Sequence, residues 1–192
     1  MDKLTTLNLT FDRVLIQLII PGLLACFPYL LLFFEVQPAI LAFFLSNGVT
    51  LIATLVILLS LISGIILENL GSRIEVHYYD ERQLKNDSEY LDVWDKFLQL
   101  AYDKEPIGQR YIRNILFRMK FELSVGAALV FMTIGLGIYN YTHTIFTNLW
   151  LNILVIYVTP LVGTLYLIFI EGWQSSKILH ATRKLLVEKY HK

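Results

Sequence analysis

Four glutamates border the long apolar runs of this sequence and are its best-placed groups for chemistry: Glu68, Glu75, Glu122 and Glu171. Carboxylates brought together at the inner edge of a membrane can serve as general acid and base or hold a metal ion. His77 and His180 lie near the same ends and add possible ligands. The simpler interpretation is that the glutamates are helix-end residues paired with nearby arginines and lysines. Because several ligands at metal-site spacing on one element are missing, we predict no metal, cofactor or catalytic residue here.

Other motifs of catalysis are absent from the sequence. It contains no HExxH, GxSxG or P-loop pattern and no glycine-rich nucleotide motif. The single cysteine, Cys26, excludes a disulfide framework and a cysteine-based zinc site, and it lies in the middle of an apolar run. We therefore expect that the protein is not an enzyme.

The composition indicates a membrane protein. Of 192 residues, 56% are hydrophobic and only 17% are charged, with a mean hydropathy of +0.57, whereas soluble domains are about 25% charged. Sixteen basic and sixteen acidic residues cancel, which excludes a globally basic nucleic-acid-binding protein. Apolar runs that approach or exceed the roughly 20 residues needed to cross a bilayer predict an all-α membrane protein with a four-transmembrane-helix bundle, its spans at residues 14–34, 39–67, 120–139 and 149–171.

The basic residues predict the orientation of these spans. The links at residues 35–38 and 139–148 contain no lysine or arginine, so all 16 basic residues fall on one side. The positive-inside rule makes that side cytoplasmic, which places both termini in the cytoplasm, and we expect a bacterial inner membrane. The chain then divides into a transmembrane hairpin (1–67), a cytosolic helical lobe (68–119), a second hairpin (120–171) and a basic amphipathic tail (172–192). Helices 2 and 3 should extend into the cytosol around the lobe.

Charge within the lobe is segregated. Its outer part is acidic and carries a predicted partner-docking face of Asp87, Glu89, Asp92, Trp94 and Asp95. Its part next to the membrane is basic and should contact lipid head groups through Arg110, Arg113, Arg118 and Lys120. The alternative for the acidic part is a solvated face, with the apolar stripe around Trp94 buried in a core. The tail should lie on the membrane surface or pack on the lobe.

Small and polar residues form a stripe in the second apolar run: Ser46, Asn47, Thr50, Ala53, Ser60 and Gly64. Small residues allow transmembrane helices to approach closely. The stripe therefore predicts either packing within one bundle or a surface that forms an oligomer or lines a pore.

Three functions follow from these features. The first is a non-enzymatic membrane subunit that forms a homo-oligomer and binds a cytosolic protein partner through its lobe. This layout resembles that of small four-span subunits of bacterial anti-phage defence systems, an analogy of layout alone. The second is an ion channel or inducible pore built on the small-residue stripe. The third is a membrane enzyme that acts on lipid at the inner interface through the glutamates.

Overall fold

The computed structural model describes residues 2–46, 48–100, 107–143 and 145–190, and all regular secondary structure in these ranges is helical. Three segments are π-helical, with one extra residue per turn. The elements in chain order are α1 (Asp2–Val36), α2 (Pro38–Ser46), α3 (Val49–Ile74), π1 (Glu75–Asp80), α4 (Glu81–Asn86), α5 (Tyr90–Leu98), α6 (Ile107–Thr142), α7 (Leu149–Ile153), π2 (Leu154–Val158), α8 (Thr159–Leu165), π3 (Tyr166–Glu171) and α9 (Gly172–Tyr190).

The prediction of four membrane-spanning helices is confirmed. Four continuous helices are long and apolar enough to cross a membrane: Leu15–Val36, Thr50–Asn86, Gly108–Thr142 and Leu149–Tyr190. The second joins α3, π1 and α4, and the fourth joins α7 through α9. At 1.5 Å per residue, about 20 helical residues cross a hydrocarbon core of about 30 Å. These two helices have 37 and 42 residues, so each is longer than the core is thick.

The predicted span at residues 39–67 differs from the structure because the helix is interrupted after Ser46. Gly48 has a φ of 108°, a conformation that glycine adopts without steric penalty and other residues avoid. The nine residues from Pro38 to Ser46 form the short helix α2, and the spanning helix begins anew at α3. Glycine at position 48 is the sequence feature that permits this break.

Helices α1 and α3 pack with almost no side chain between them. A Cβ atom on Gly22 would lie 1.8 Å from the carbonyl oxygen of Ser60, and one on Gly64 would lie 2.1 Å from that of Leu18. Ser60 is fully buried and its hydroxyl donates a hydrogen bond to the carbonyl of Val56 on its own helix, at 2.7 Å. This is the close small-residue contact that stabilises helix pairs in lipid, where packing replaces the hydrophobic driving force.

Two π-helical segments face each other where the spans enter the polar end of the molecule. The hydroxyl of Tyr79, in π1, donates a hydrogen bond to the carbonyl of Ile168, in π3. Tyr79 is completely buried, and Gly172 at the start of α9 leaves the space for its hydroxyl group. A shared apolar core then joins π1, α6, π3 and α9, with these buried members: Tyr79, Ile112, Ile115, Met119, Leu123, Ile168, Trp173, Leu179 and Leu186.

Helix α5 packs on α9 beyond this core. We use the name polar lobe for residues 75–98 together with α9. Because π1 and α4 continue the second spanning helix and α9 continues the fourth, the lobe is built on the same helices as the spans. Its position relative to them is therefore set by unbroken helical backbone.

Candidate functional site

Two of the four glutamates meet on one arginine. The Nε of Arg118 lies 2.6 Å from Oε1 of Glu122, and its Nη2 lies 2.6 Å from Oε2 of Glu171, which comes from another spanning helix. Glu122 is 8% exposed and also accepts a hydrogen bond from Ser175 at 3.1 Å. The hydroxyl of Tyr166 donates to the other oxygen of Glu171. Both carboxylates are thus committed to partners that hold α6 against π3 and α9.

The remaining two glutamates lie elsewhere. Glu68 is 3.6 Å from the Nζ of Lys120, and Glu75 lines a separate pocket in the polar lobe. The four carboxylates therefore do not form one ring. Within residues 2–46, 48–100, 107–143 and 145–190, no group of three or more histidine, cysteine or acidic side chains is arranged to hold a metal ion.

The predicted docking face is partly covered by the chain's own C-terminal helix. Asp87 lies 2.9 Å from the Nε2 of His180, and Glu89 lies 2.9 Å from the Nζ of Lys184. The hydrogen bond from His180, reinforced by one from the backbone N–H of Glu89, lowers the pKa of Asp87. Side chains of α9 accordingly neutralise the acids that precede α5. Of the two positions considered for the tail, on the membrane surface or against the lobe, the structure has it packed against the lobe.

The outer side of α5 remains accessible. Asp92 pairs with Lys96 one turn later, at 2.5 Å, and both side chains are largely exposed. Asp95 is exposed as well. Ion pairs of this kind between exposed residues contribute only about 0.3–0.5 kcal/mol. These two acids therefore remain surface charges rather than parts of a built site.

Trp94 covers a buried arginine. The guanidinium carbon of Arg183 lies 3.9 Å from the centre of the Trp94 ring and 5.8 Å from that of Phe97. Arg183 is only 7% exposed, and its Nε has no hydrogen-bond partner among the residues that the structure describes. A buried donor left without an acceptor costs about 1–3 kcal/mol. This cation is therefore both stabilised by the aromatic ring and short of one acceptor.

Arg183 and Trp94 form part of a pocket of about 400 Å³ in the polar lobe, which we call the acidic pocket. Its charged wall has three acids against this one arginine. Asp80 in that wall accepts a hydrogen bond from the hydroxyl of Tyr90 at 2.8 Å, and burial together with this bond raises the pKa of Tyr90. The lining is completed by apolar side chains and a histidine; the full set is Glu75, Val76, His77, Asp80, Glu81, Leu84, Tyr90, Leu91, Trp94 and Arg183.

The residues predicted to contact lipid head groups do not share one environment. Arg118 and Lys120 form the ion pairs with glutamates given above, whereas Arg110 and Arg113 lie exposed on α6. Arg73, which the charge pattern did not single out, is exposed and lines a groove along the spanning helices. The available signal was its place at the inner end of the second apolar run.

The small-residue stripe divides into two halves. Ser60 and Gly64 are buried in the contact with α1, so they pack within one bundle. Ser46, Thr50 and Ala53 are exposed, and Asn47 lies outside the described residues. The exposed half therefore remains a predicted surface for oligomers or a pore.

None of the family models, curated proteins or solved structures with which the chain was compared matches it. Its class rests on the fold: in the described residues it is all-helical, with four helices long and apolar enough to span a membrane, as in a multi-pass membrane protein.

Proposed function

We propose that this chain is a non-enzymatic membrane subunit that holds a basic segment of a partner protein in the acidic pocket, on the cytoplasmic side of a bacterial inner membrane. The observation that carries the proposal is the pocket itself, whose lining includes three acids, the rings of a tyrosine and a tryptophan, and one buried arginine. The helices that bear it continue into the membrane. A segment bound there would be anchored at the membrane surface.

The charge of the pocket favours a cationic ligand. Glu75, Asp80 and Glu81 outnumber Arg183, so a lysine or arginine side chain would bring the pocket nearer to neutrality.

The rim of the pocket favours a protein segment over a small amine. Val76, Leu84 and Leu91 are exposed on three successive elements around the opening. Apolar side chains next to a basic residue of the bound segment would cover them, whereas a small amine would leave them exposed. An amphipathic basic helix has this combination of groups.

The ion pairs around Arg118 support a structural role for the inner glutamates. Glu122 and Glu171 are each bonded to Arg118 and to one hydroxyl group. Neither carboxylate is therefore left without a partner to act as a general acid or base. The proposed oligomer would use the exposed half of the small-residue stripe, at Ser46, Thr50 and Ala53.

The test uses the tagged full-length chain, purified in mild detergent with the proteins that accompany it. The pocket variant combines Glu75→Gln and Glu81→Gln, and the matched control combines Asp92→Asn and Asp95→Asn, which removes the same charge from the same lobe outside the pocket. We expect a partner with a basic segment to co-purify with the wild type and the control, and to fall at least about tenfold in the pocket variant, equivalent to about 1.4 kcal/mol.

A defined probe makes the test independent of the natural partner. An amphipathic peptide of lysines and leucines should bind the wild-type chain, and the same peptide with glutamate in place of lysine should not. Equal binding of the lysine peptide by wild type and pocket variant would contradict the proposal. So would blue-native electrophoresis that shows only monomer, with no accompanying protein.

A further inference from the structure

A groove lies along three of the spanning helices. It has a volume of about 810 Å³, and its walls are almost entirely apolar. The lining comes from α3 and π1 on one side, α6 on the second and π3 on the third: Leu70, Arg73, Ile74, His77, Tyr78, Ala127, Val130, Phe131, Ile168 and Phe169. It belongs neither to the acidic pocket nor to the glutamate ion pairs, apart from His77, which lines both cavities.

The polar groups of this groove are confined to one end. Arg73 and His77 lie there, one turn apart, and both are exposed. Tyr78 closes the same end by packing edge-on against Phe169, with ring centres 5.4 Å apart. The other end reaches Phe131 in the apolar part of α6. The groove therefore changes from cationic to apolar along its length. This complements an anionic lipid, which has a negative head group joined to apolar acyl chains.

Arg73 is the cation best able to receive a phosphate. In the part of the chain that the structure describes, it forms no ion pair with an acidic side chain, whereas Arg118 and Lys120 are paired with glutamates. The imidazole of His77 lies beside it, with Nδ1 3.1 Å from the carbonyl oxygen of Arg73. Because a carbonyl can only accept, Nδ1 carries the proton and Nε2 is left as an acceptor, so the phosphate is assigned to Arg73 alone.

We propose that this groove binds one molecule of an anionic phospholipid, with an acyl chain along the apolar walls and the phosphate at Arg73. The bilayer supplies such an occupant at the depth of the groove, because Ala127, Val130 and Phe169 belong to helices that can span it. A cation at the membrane surface attracts an anionic head group, and the guanidinium fork matches the geometry of a phosphate. The proposal is independent of what the acidic pocket binds.

The experiment titrates the purified full-length chain with phosphatidylglycerol or phosphatidylcholine of identical acyl chains and counts bound lipid by native mass spectrometry. Arg73→Gln removes the cation, and Val130→Trp obstructs the apolar wall from a position that is exposed. Their matched controls are Arg113→Gln, an exposed arginine outside the groove, and Val155→Trp, an exposed valine on the fourth spanning helix.

We expect one phosphatidylglycerol to bind in preference to phosphatidylcholine. Arg73→Gln should reduce its affinity at least about fivefold, which corresponds to about 1 kcal/mol per cation at the surface. Val130→Trp should reduce the binding of both lipids, and the two controls should behave as wild type. Glycerol phosphate, which has the anion without acyl chains, should not compete.

Equal affinity of the wild type for the two lipids would overturn the proposal, as would an unchanged preference in Arg73→Gln. Competition by glycerol phosphate would also overturn it, because a free phosphate site would then explain the binding. If Arg73→Gln does not elute from a sizing column as the wild type does, Val130→Trp against Val155→Trp decides the outcome: equal lipid binding by these two variants contradicts an acyl site in the groove.

Discussion

Asp87 connects the two helices of the polar lobe through a contact that depends on its ionised carboxylate. It accepts hydrogen bonds from the Nε2 of His180 in α9 and from the backbone N–H of Glu89 in its own turn. Both bonds favour the charged form and lower its pKa in the folded chain. A group whose pKa is depressed by folding stabilises the fold above its unfolded pKa, about 3.9 for aspartate, and this contribution is lost as the pH falls through the folded pKa.

Replacing Asp87 by asparagine should therefore cost stability at neutral pH and almost none in acid. We expect the difference in unfolding midpoint between wild type and Asp87→Asn to be present at about pH 5 and above and to shrink below about pH 4. Thermal unfolding in detergent, followed by circular dichroism, measures this difference. Asp95→Asn is the control, because Asp95 is exposed on the outer side of α5. A difference that does not change with pH would contradict the assigned role.

Single residues show how far the sequence determined the site. The spacing of Arg118 and Glu122, one turn apart on the same helix, predicts that this inner glutamate pairs with a nearby cation. The link from Arg118 to Glu171 joins residues 53 positions apart, and no local pattern encodes such a contact. The burial of Arg183 under Trp94 was missed for the same reason, because the approach of α9 to α5 is decided by tertiary packing.

At the scale of elements, the close contact of α1 and α3 leads to a sharp prediction. Gly22→Ala should destabilise the bundle, because its new Cβ would meet a backbone carbonyl at 1.8 Å and the helices would have to separate. Overpacking costs about 1–3 kcal/mol, and the better helix propensity of alanine recovers up to about 1 kcal/mol. Reversible unfolding by a denaturing detergent would measure the loss.

The matched control is Gly163→Ala in the fourth spanning helix. There the added Cβ would approach only the end of the Leu129 side chain, at 3.1 Å, which can rotate away. We expect the control to remain within about 1 kcal/mol of the wild type, near the propensity difference alone. A loss of equal size in both variants would show that added volume anywhere in the spans, rather than the α1–α3 contact, determines the effect.

The elements also show where sequence patterns stop being informative. Apolar length predicted four spans because the bilayer requires each of them to be helical. The interruption at Gly48 and the π-helical turns did not follow from apolar length, because they do not change the composition of the run. Only π2 has a local cause, since Pro160 lacks an N–H and the preceding backbone pairs over five residues instead, from Thr159 to Leu154.

At the scale of the whole molecule, charge and apolar length together predict one orientation. The hairpin between α6 and α7 has no lysine or arginine, whereas the polar lobe is rich in both. From the positive-inside rule, we propose that the lobe, its acidic pocket and the end of the groove at Arg73 face the cytoplasm. The proposed binding of a cytosolic partner depends on this orientation, since a basic cytosolic segment could not otherwise reach the pocket.

Cysteine labelling tests this orientation directly. With Cys26→Ser as background, Ser88→Cys places a thiol in the polar lobe and Thr147→Cys places one in the hairpin between α6 and α7, both at exposed positions. In right-side-out vesicles, a membrane-impermeant maleimide should label position 147 and leave position 88 unlabelled. Inside-out vesicles should give the reverse, and detergent should expose both sites equally. Labelling of position 88 from the outside would show the opposite orientation and would exclude a cytosolic partner for the acidic pocket. The groove at Arg73 would then face the opposite leaflet.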